Sequence, residues 1–344
     1  MKKVAVIILN WNGAAMLRRF LPSVLDGSRM EGAEVWVADN GSTDASCTTV
    51  EQEFPEVRLL RLGVNYGFAE GYNRAVGAVE AEYVVLLNSD VEVTPNWLAP
   101  MVAYMDAHPQ VAACQPKLLS YDRRDCFEYA GAAGGFMDKY GYPFCRGRVF
   151  DHLERDDGRY DTVVPVLWAS GAAMLIRRQA YLEAGGLDGE FFAHMEEIDL
   201  CWRLRIRGRM VVCLPFSSVY HVGAATLKPS PRKTYLNFRN NLLMLYKNLP
   251  SAELASVMRV RAGLDLLAAV VFLLKGEWAN TKAVCRAWRD FRHLRDYRYR
   301  EVREENRRLA VTDTLPERLP CSLVWQCKVR GKKTYLEILK TVKS

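Results

Sequence analysis

The chain has 344 residues and a mass of 39.1 kDa, which suits one large domain or two smaller ones. Hydrophobic residues make up 50% of the chain and charged residues 25%, a balance that is typical of a globular protein. The net charge of +7 and the pI near 8.9 favour anionic partners such as nucleotides, lipid headgroups or nucleic acid, and charge alone does not choose among them.

Cysteine spacing and the length of the apolar runs exclude several other classes of protein. The nine cysteines contain no CxxC pair, so we predict neither a zinc site nor a disulfide framework, and reduced thiols in the cytosol are the simplest account. The apolar run at 4–9 has no small-residue cleavage site after it, which favours a first strand over a signal peptide. The longest apolar run, 266–274, is far shorter than the roughly 20 residues that span a bilayer, so no transmembrane helix is predicted.

From residue 2 to about residue 119, predicted strands alternate with predicted helices. The strands are predicted at 4–9, 34–39, 57–62 and 83–87, and the helices at 14–25, 44–54 and 68–79. This alternation predicts an α/β fold with a parallel sheet that is covered by helices on both faces. Sheets of this kind bind ligands at the carboxyl ends of their strands.

Polar residues follow each of these four predicted strands. They are Asn10 and Asn12, Asp39 and Asn40, Asn65, and Asp90. One strand ending in aspartate is commonly a turn signal, but a shared ligand site explains all four strand ends together. The first turn reads NWNGAA with a single glycine, and therefore lacks the GxGxxG fingerprint of a dinucleotide-binding enzyme.

The fourth strand ends abruptly in the stretch YVVLLNSDVEV at 83–93. An aspartate at such a tip can bind Mg²⁺ or Mn²⁺, which take one or two carboxylates and leave the other positions to substrate phosphates and water. The metal would neutralise the charge that develops on a diphosphate leaving group. Asp90 is the better ligand, whereas Asn88 offers a neutral carbonyl oxygen or a bond to ribose. A capping role for Asp90 stays open.

A second acidic cluster lies in GGLDGEFFAHMEEIDLCWRLRIRG at 185–208. From residue 195 the spacing predicts a helix with one apolar stripe, formed by Ile198, Trp202 and Ile206. Glu196 and Glu197 fall in its first turn, where the amide dipoles stabilise carboxylates, and residue 197 could point into a cleft. An acidic cap paired with Arg203 and Arg205 is the alternative.

Six motifs, in order over residues 3–245, resemble glycosyltransferase family 2. They are VAVIILNWNG, VADNGSTDAS, NYGFAEGYNRAV, LLNSDVEV, WASGAAMLIRR and FFAHMEEIDLCWR. The resemblance is closest to the rhamnosyltransferase-like branch of these inverting, nucleotide-sugar-dependent enzymes. It implies the GT-A fold, an α/β architecture in which a Rossmann-like, mostly parallel central sheet has helices on both faces.

The resemblance also implies a role for each matching residue. Asp90 and His221, the latter in PFSSVYHVGAAT, would ligate Mg²⁺ or Mn²⁺, and Glu197 would be the general base. The family commonly has aspartate in place of Glu197, so Glu196 stays possible. The nucleotide-sugar donor would be bound by Asn10, Asp39, Asn65, Gly67, Gly71, Asn73 and Asn88, with the two glycines allowing close backbone approach. Asn88 replaces the first aspartate of a strict DxD motif.

Residues 246–344 are predicted to form a basic, helical extension of a GT-A domain at 1–245. Arginines recur at 286, 289, 292, 295 and 298, and spread over one broad helix face. A solvated helix and a surface that contacts anionic lipid both explain this pattern. The sequence contains no recognised nucleic-acid-binding motif, so no nucleic-acid partner is predicted.

The expected function is sugar transfer to the hydroxyl of a glycan or a lipid-linked sugar during surface polysaccharide assembly. The expected location is the cytoplasm, with peripheral contact at the inner face of the plasma membrane as an option. The long loop at 120–165 is typical of a segment that faces the acceptor. A non-catalytic sugar-nucleotide binder and a basic membrane- or nucleic-acid-binding protein are the alternatives.

Overall fold

The computed structural model describes residues 2–223 and 230–343. The strands are β1 (Lys2–Asn10), β2 (Ala33–Asp39), β3 (Arg58–Arg61), β4 (Ala81–Asn88), β5 (Val91–Val93), β6 (Val111–Ser120), β7 (Gly135–Asp138), β8 (Pro143–Cys145), β9 (Arg148–Val149), β10 (His152–Leu153), β11 (Val164–Pro165), β12 (Ala173–Arg177), β13 (Met210–His221) and β14 (Arg318–Leu319). The α-helices are α1 (Ala14–Gly27), α2 (Ser46–Glu53), α3 (Gly67–Ala78), α4 (Leu98–Ala107), α5 (Arg178–Glu183), α6 (Glu196–Ile206), α7 (Pro231–Asn248), α8 (Ser251–Leu274), α9 (Trp278–Leu294), α10 (Arg300–Leu309) and α11 (Tyr335–Lys343). One 3₁₀ turn and two π-helical turns occupy Gly189–Phe191, Arg295–Tyr299 and Trp325–Val329.

The central sheet has nine strands in the order β11-β13-β6-β12-β4-β1-β2-β3, with β5 paired to β13. Strands β1 to β4 run parallel to one another, and β6 and β13 run in the same direction beyond the antiparallel strand β12. The predicted mostly parallel α/β sheet is confirmed, as are all seven predicted elements of residues 2–88. Their apolar runs, such as the fully buried 83–87, fill both faces of the sheet.

A second, smaller sheet has the order β10-β9-β8-β7-β14. Its first four strands come from the region predicted as a long loop at 120–165, so this loop carries ordered structure of its own. These strands have two to four residues each, which is too short for an alternating pattern to be recognised. The last strand, β14, comes from the C-terminal extension and pairs in parallel with β7.

The C-terminal extension is helical, as predicted, and packs on the rest of the chain. The predicted boundary at residue 245 falls inside α7, and one buried cluster includes both sheet residues and the extension's Val257, Phe291, Leu323 and Ile338. The division into two domains stays a prediction. Among residues 2–223 and 230–343, none of the helices combines the length and the apolar character needed to cross a membrane.

Candidate active site

The polar strand ends predicted to meet do meet at one edge of the central sheet. In the register of the parallel strands, Asn10 of β1 lies opposite Asp39 of β2, and Leu9 lies opposite Asn88 of β4. Asp90 follows two residues beyond Asn88, at the start of β5. The sequence placed these groups together because the carboxyl ends of parallel strands share one edge.

Asn10 and Asp39 form the buried floor of this edge beside β2. Asp39 accepts hydrogen bonds from Asn10 Nδ2 at 3.4 Å and from the Ser42 amide at 3.0 Å. Asn10 Oδ1 is buried and has no hydrogen-bond partner among the described residues. The neighbouring indole of Trp11 is 57% exposed, so a flat apolar surface stands beside these polar groups. The motifs assigned no role to Trp11, although an aromatic residue between two asparagines in a strand-end turn indicates a possible binding surface.

Asn65 and the two glycines of NYGFAEGYN are arranged by contacts within the protein. Asn65 Oδ1 accepts from the Gly67 amide at 2.8 Å and from Asn40 Nδ2 at 3.2 Å. A Cβ at Gly67, where φ is +79°, would lie 2.5 Å from the Phe192 ring, and a Cβ at Gly71 would lie 2.9 Å from Leu9. The glycines therefore admit protein side chains at close range, and their contact with the donor stays a prediction.

Both side-chain amide atoms of Asn73 make hydrogen bonds within the protein. Its Oδ1 accepts from the Tyr181 hydroxyl at 2.6 Å and from the Leu187 amide at 2.9 Å, and its Nδ2 donates to the Leu187 carbonyl at 2.8 Å. These contacts tie α3 to the segment that precedes α6. They favour a positioning role for Asn73, and its direct contact with a donor stays a prediction.

Asp90 and His221 are direct neighbours in a buried cluster. His221 Nε2 lies 3.1 Å from Asp90 Oδ1 and 3.3 Å from Asn88 Nδ2, and its Nδ1 lies 3.3 Å from Glu128 Oε2. The cluster is held by the pairing of β5 with β13, in which Val91 lies opposite His221. Glu128 was missed by the sequence analysis, because nothing in the region around it distinguishes one buried carboxylate from the other acidic residues.

The charges in this cluster stabilise one another. Burial alone would lower the pKa of His221, but the carboxylates of Asp90 and Glu128 outweigh it and raise that pKa to about 10. Burial alone would raise the pKa of Asp90, but His221 and the Gly223 amide hold it below its usual value. Gly223 has a φ of +70°, and a Cβ there would lie 2.4 Å from Glu128 Oε1, so the close packing requires glycine.

The Asp90–His221 pair suits a divalent cation that is shared with a substrate. Two adjacent ligands of an octahedral ion with bonds of about 2.0–2.1 Å lie about 3 Å apart, and Asp90 Oδ1 and His221 Nε2 are 3.1 Å apart. Across 2–223 and 230–343, no group of three or more His, Cys, Asp and Glu side chains is arranged to hold a metal. Two protein ligands match the way Mg²⁺ binds when phosphates and water complete its shell.

Glu196 and Glu197 begin α6, as predicted, and Ile198, Trp202 and Ile206 form the predicted buried stripe. Each glutamate has an Oε2 that is buried without a hydrogen-bond partner in the described chain. Burial raises the pKa of Glu197 to about 7, and burial together with the charge of Glu197 raises the pKa of Glu196 well above its usual value. Desolvation therefore outweighs the helix dipole, which was expected to favour the charged forms.

The alternative pairing of these glutamates with arginines is not observed. Arg203 donates to Asp199 at 2.9 Å, and Arg205 donates to Glu317 in the extension at 2.7 Å. Among the ion pairs of residues 2–223 and 230–343, none includes either glutamate, so burial sets the direction of their pKa shifts.

The turn at Gly171 and Ala172 lies next to Glu197 and to Asn88, the neighbour of His221. The main-chain N–H of Asn88 donates to the Ala172 carbonyl at 3.0 Å, and a Cβ at Gly171 would lie 3.6 Å from Glu197 Cβ. Asn88 and Glu197 thus contact adjacent residues of one turn. The motif WASGAAMLIRR provides this turn, which contacts both Asn88 and Glu197.

The segment that leads into α6 has an unusual backbone. Phe192, His194 and Met195 have φ values of 61°, 72° and 72°, which are rare for residues with a side chain. Asn240 Nδ2 donates to the carbonyls of Phe191, Ala193 and His194 at 2.8–2.9 Å. One amide from α7 thereby fixes the strained segment, and no local motif identifies Asn240 for this task.

A buried ion network joins α6 to α7 and the extension. Lys247 Nζ donates to Asp188 at 2.6 Å and to Asp199 at 2.8 Å, and the Tyr299 hydroxyl donates to Asp188 at 3.0 Å. Burial alone would raise the pKa of Asp188, but Lys247 lowers it. The position of the Glu196–Glu197 helix therefore depends on residues outside the predicted GT-A domain.

This architecture defines a class of protein. A mostly parallel central sheet with helices on both faces and polar groups at its carboxyl edge fits the GT-A fold. Solved structures confirm the fold. S. aureus TarS 1–349 in complex with UDP-GlcNAc has a TM-score of 0.57 at 17% identity, over 84% of this chain and 80% of that one. The mannosyltransferase PcManGT from Pyrobaculum calidifontis, in complex with GDP-Man and Mn²⁺, has a TM-score of 0.52 at 16% identity, over 89% and 84%.

Sequence comparison gives a matching result. Residues 5–146 match the family described as glycosyl transferase family 2. The N-acetylglucosaminyl-diphospho-decaprenol L-rhamnosyltransferase of Mycobacterium tuberculosis is 28% identical over 230 residues, which cover 63% of this chain and 75% of the relative. The predicted family, its rhamnosyltransferase-like branch and the GT-A fold are confirmed.

Proposed function

We propose that this glycosyltransferase moves a sugar from a nucleotide-diphosphate sugar to the hydroxyl of a glycan or a lipid-linked sugar, with inversion at the anomeric carbon. The observation that carries the proposal is the turn at 171–172. Asn88, whose side chain lies 3.3 Å from His221 Nε2, donates its main-chain N–H to the Ala172 carbonyl, and Gly171 lies against Glu197, a carboxyl group with a pKa of about 7.

The donor is assigned to the edge formed by β1 and β2. Asp39 and Asn10 would bind the base and ribose, and Asn10 Oδ1, which is buried without a partner in the described chain, offers an acceptor for a donor group. The exposed face of Trp11 offers apolar area for a planar base. TarS and PcManGT, which share the fold, were solved with UDP-GlcNAc and with GDP-Man respectively.

Mg²⁺ or Mn²⁺ would be held by Asp90 and His221, and when bound it would neutralise the charge on the leaving diphosphate. Binding through Nε2 requires a neutral His221. Glu128 Oε2 lies 3.3 Å from Nδ1, behind the ring, where carboxylates commonly orient histidine ligands. Asn88, which is neutral, lies beside Nε2 and adds no charge to the site.

Glu197 is proposed as the general base. Its carboxylate takes the proton from the acceptor hydroxyl as that oxygen bonds to the anomeric carbon and the bond to the diphosphate oxygen breaks. The proton ends on Glu197, and the electron pair of the broken bond leaves with the nucleoside diphosphate. Glu196 is buried more deeply than Glu197, and burial and the charge of Glu197 raise its pKa well above the usual value.

The donor sugar is proposed to be a hexose or rhamnose, and the product part of a surface polysaccharide assembled on the cytoplasmic side of the plasma membrane. The relative's name specifies a lipid-linked diphospho-sugar acceptor and a rhamnosyl group, and the family branch supports extending this class to the present chain.

A thermal-shift panel of UDP-, GDP- and dTDP-sugars with and without Mn²⁺ tests the donor assignment. We expect one nucleotide to raise the melting temperature, with the increase requiring Mn²⁺ and lost in Asp39→Ala. A chain that no nucleotide-sugar stabilises would contradict the proposal. Stabilisation without transfer to any glycan or lipid-linked acceptor would indicate a non-catalytic sugar-nucleotide binder.

A further inference from the structure

Helix α8 presents an apolar face to solvent. Its inner side packs on the protein through Val257, Arg261, Asp265 and Ala269. The exposed apolar side chains are Val260, Leu266, Leu267, Val270, Val271, Leu273, Leu274 and, in the first turn of α9, Trp278. Leu274 is 82% exposed, Leu266 66% and Trp278 64%. Single exposed apolar residues are ordinary, but a continuous set of eight marks an interaction surface.

The spacing of these residues makes them one surface. Val260, Leu267, Val270 and Leu274 recur at intervals of seven, three and four, which places them in one stripe along the helix. Trp278, which is also exposed, begins α9 just past the turn at 275–277. Since α8 has 24 residues, the stripe extends over much of a helix about 36 Å long.

Positive charge adjoins this surface. Trp278, Lys282 and Arg286 follow at four-residue intervals, so they share one side of α9. Arg286 and Arg289 have side chains that are 63% and 74% exposed, and both pair with Asp290, at 3.3 and 3.0 Å, which leaves one net positive charge on these three residues. Residues 251–344 contain 20 Lys and Arg against 11 Asp and Glu, whereas residues 1–250 contain 27 against 29. The positive excess of the chain therefore lies entirely in the extension.

The sequence suggested that the arginine-rich helix at 286–298 contacts lipid. In the structure, the exposed apolar area lies on α8 instead. The aromatic rings that interleave with the arginines face inward: Phe291 is buried, and Trp288 donates to Asp265 of α8 at 3.0 Å. Arg295 and Arg298 are paired with Asp296 and Glu190. Helix α9 offers charge but little apolar area, and α8 supplies the apolar area.

We propose that the apolar face of α8, together with Trp278, docks on an anionic lipid bilayer and lies among the headgroups, with Lys282, Arg286 and Arg289 beside it. Leucine and valine on one side, an indole at the end of the stripe and adjacent cations are the features that such surface helices use. A second copy of the chain is disfavoured as the occupant, because it would bring two positively charged extensions together. This inference does not depend on the proposed donor or base.

The test is co-sedimentation of the full-length chain with vesicles of phosphatidylcholine, with and without phosphatidylglycerol. We expect binding that requires phosphatidylglycerol. It should weaken about tenfold or more in the variant Leu267→Glu/Leu274→Glu, because two leucines that the bilayer would bury are replaced by charged side chains. Lys282→Gln/Arg289→Gln is expected to weaken binding several-fold. Val311→Glu, at another exposed apolar position, is the matched control and should bind as the wild type does.

Melting temperature and the nucleotide-dependent thermal shift should be unchanged in these variants, since the substituted side chains are exposed. Failure of the wild type to bind either vesicle, or equal binding by the leucine variant, would overturn the proposal. A dimer seen by light scattering and abolished by Leu267→Glu/Leu274→Glu would assign the face to a second copy instead. Loss of nucleotide response alone would count against the proposed function and not against the docking surface.

Discussion

Asp90 and Glu197 are two carboxyl groups of the candidate site that lie in opposite electrostatic surroundings. Asp90 has an imidazole at 3.1 Å and a backbone amide at 3.3 Å, and its pKa is held low. Glu197 has an Oε2 with no partner in the described chain and a pKa of about 7. Burial raises the pKa of both carboxyl groups, and only Asp90 has partners that reverse this effect. These surroundings favour the anionic form of Asp90 and place the pKa of Glu197 near neutrality.

The largest expected effect is the loss of the base in Glu197→Gln, which keeps the shape of the side chain but removes its basicity. We expect kcat to fall about 10²- to 10⁴-fold, with donor binding retained, measured by transfer to a saturating acceptor. Glu196→Gln is the matched control, because it makes the same change at the neighbouring buried carboxyl group, and it should change kcat less than about tenfold. The reverse order of effects would assign the base to Glu196.

Asp90→Asn is expected to act on the proposed cation site. Removing the anionic ligand should lower transfer by about 10²- to 10³-fold and abolish the thermal shift caused by Mn²⁺, because several kcal/mol of charge stabilisation depend on the ion. Glu197→Gln should leave that Mn²⁺ shift intact. If Asp90→Asn retained the full Mn²⁺ shift, Asp90 would be a capping residue, and its low pKa would have no role in cation binding.

A smaller effect is expected for Glu128→Gln, since Glu128 acts through His221. Loss of the carboxylate behind the ring should weaken Mn²⁺ affinity about 10- to 100-fold, as measured by titration calorimetry, with kcat recovering at high Mn²⁺. The conservative change Glu128→Asp should restore part of the affinity. A fall in melting temperature with unaltered Mn²⁺ affinity would show that Glu128 only stabilises the fold.

The smallest effect is the pH dependence of the wild type. Because Glu197 must be deprotonated to accept a proton and its pKa is about 7, kcat should decrease about tenfold per pH unit below that value and level off above it. The Glu197→Gln variant should lack this step. A wild-type profile that levels off already above pH 5 would mean that Glu197 carries an ordinary pKa during turnover.

The sequence predicted the donor half of the site better than the rest. Alternating strands and helices placed Asn10, Asp39 and Asn88 at one edge, because chain order within a parallel sheet follows from local patterns. It did not predict that Gly67 and Gly71 pack against Phe192 and Leu9, since a glycine in a motif does not reveal what approaches it. Nor could it identify Asn240, which acts on a segment that precedes it by nearly fifty residues.

By itself, the sequence determined the α/β class, the edge at which polar groups collect, and the helix that carries Glu196 and Glu197, because each is set by local periodicity and by strand order. The tertiary structure decided how charge is distributed among them. It put His221 and Glu128 around Asp90 but left Glu197 without a partner in the described chain, and it turned the apolar stretch at 266–274 outward. Those outcomes depend on which distant segments pack together, and the residues on either side of the contact carry no local sign of it.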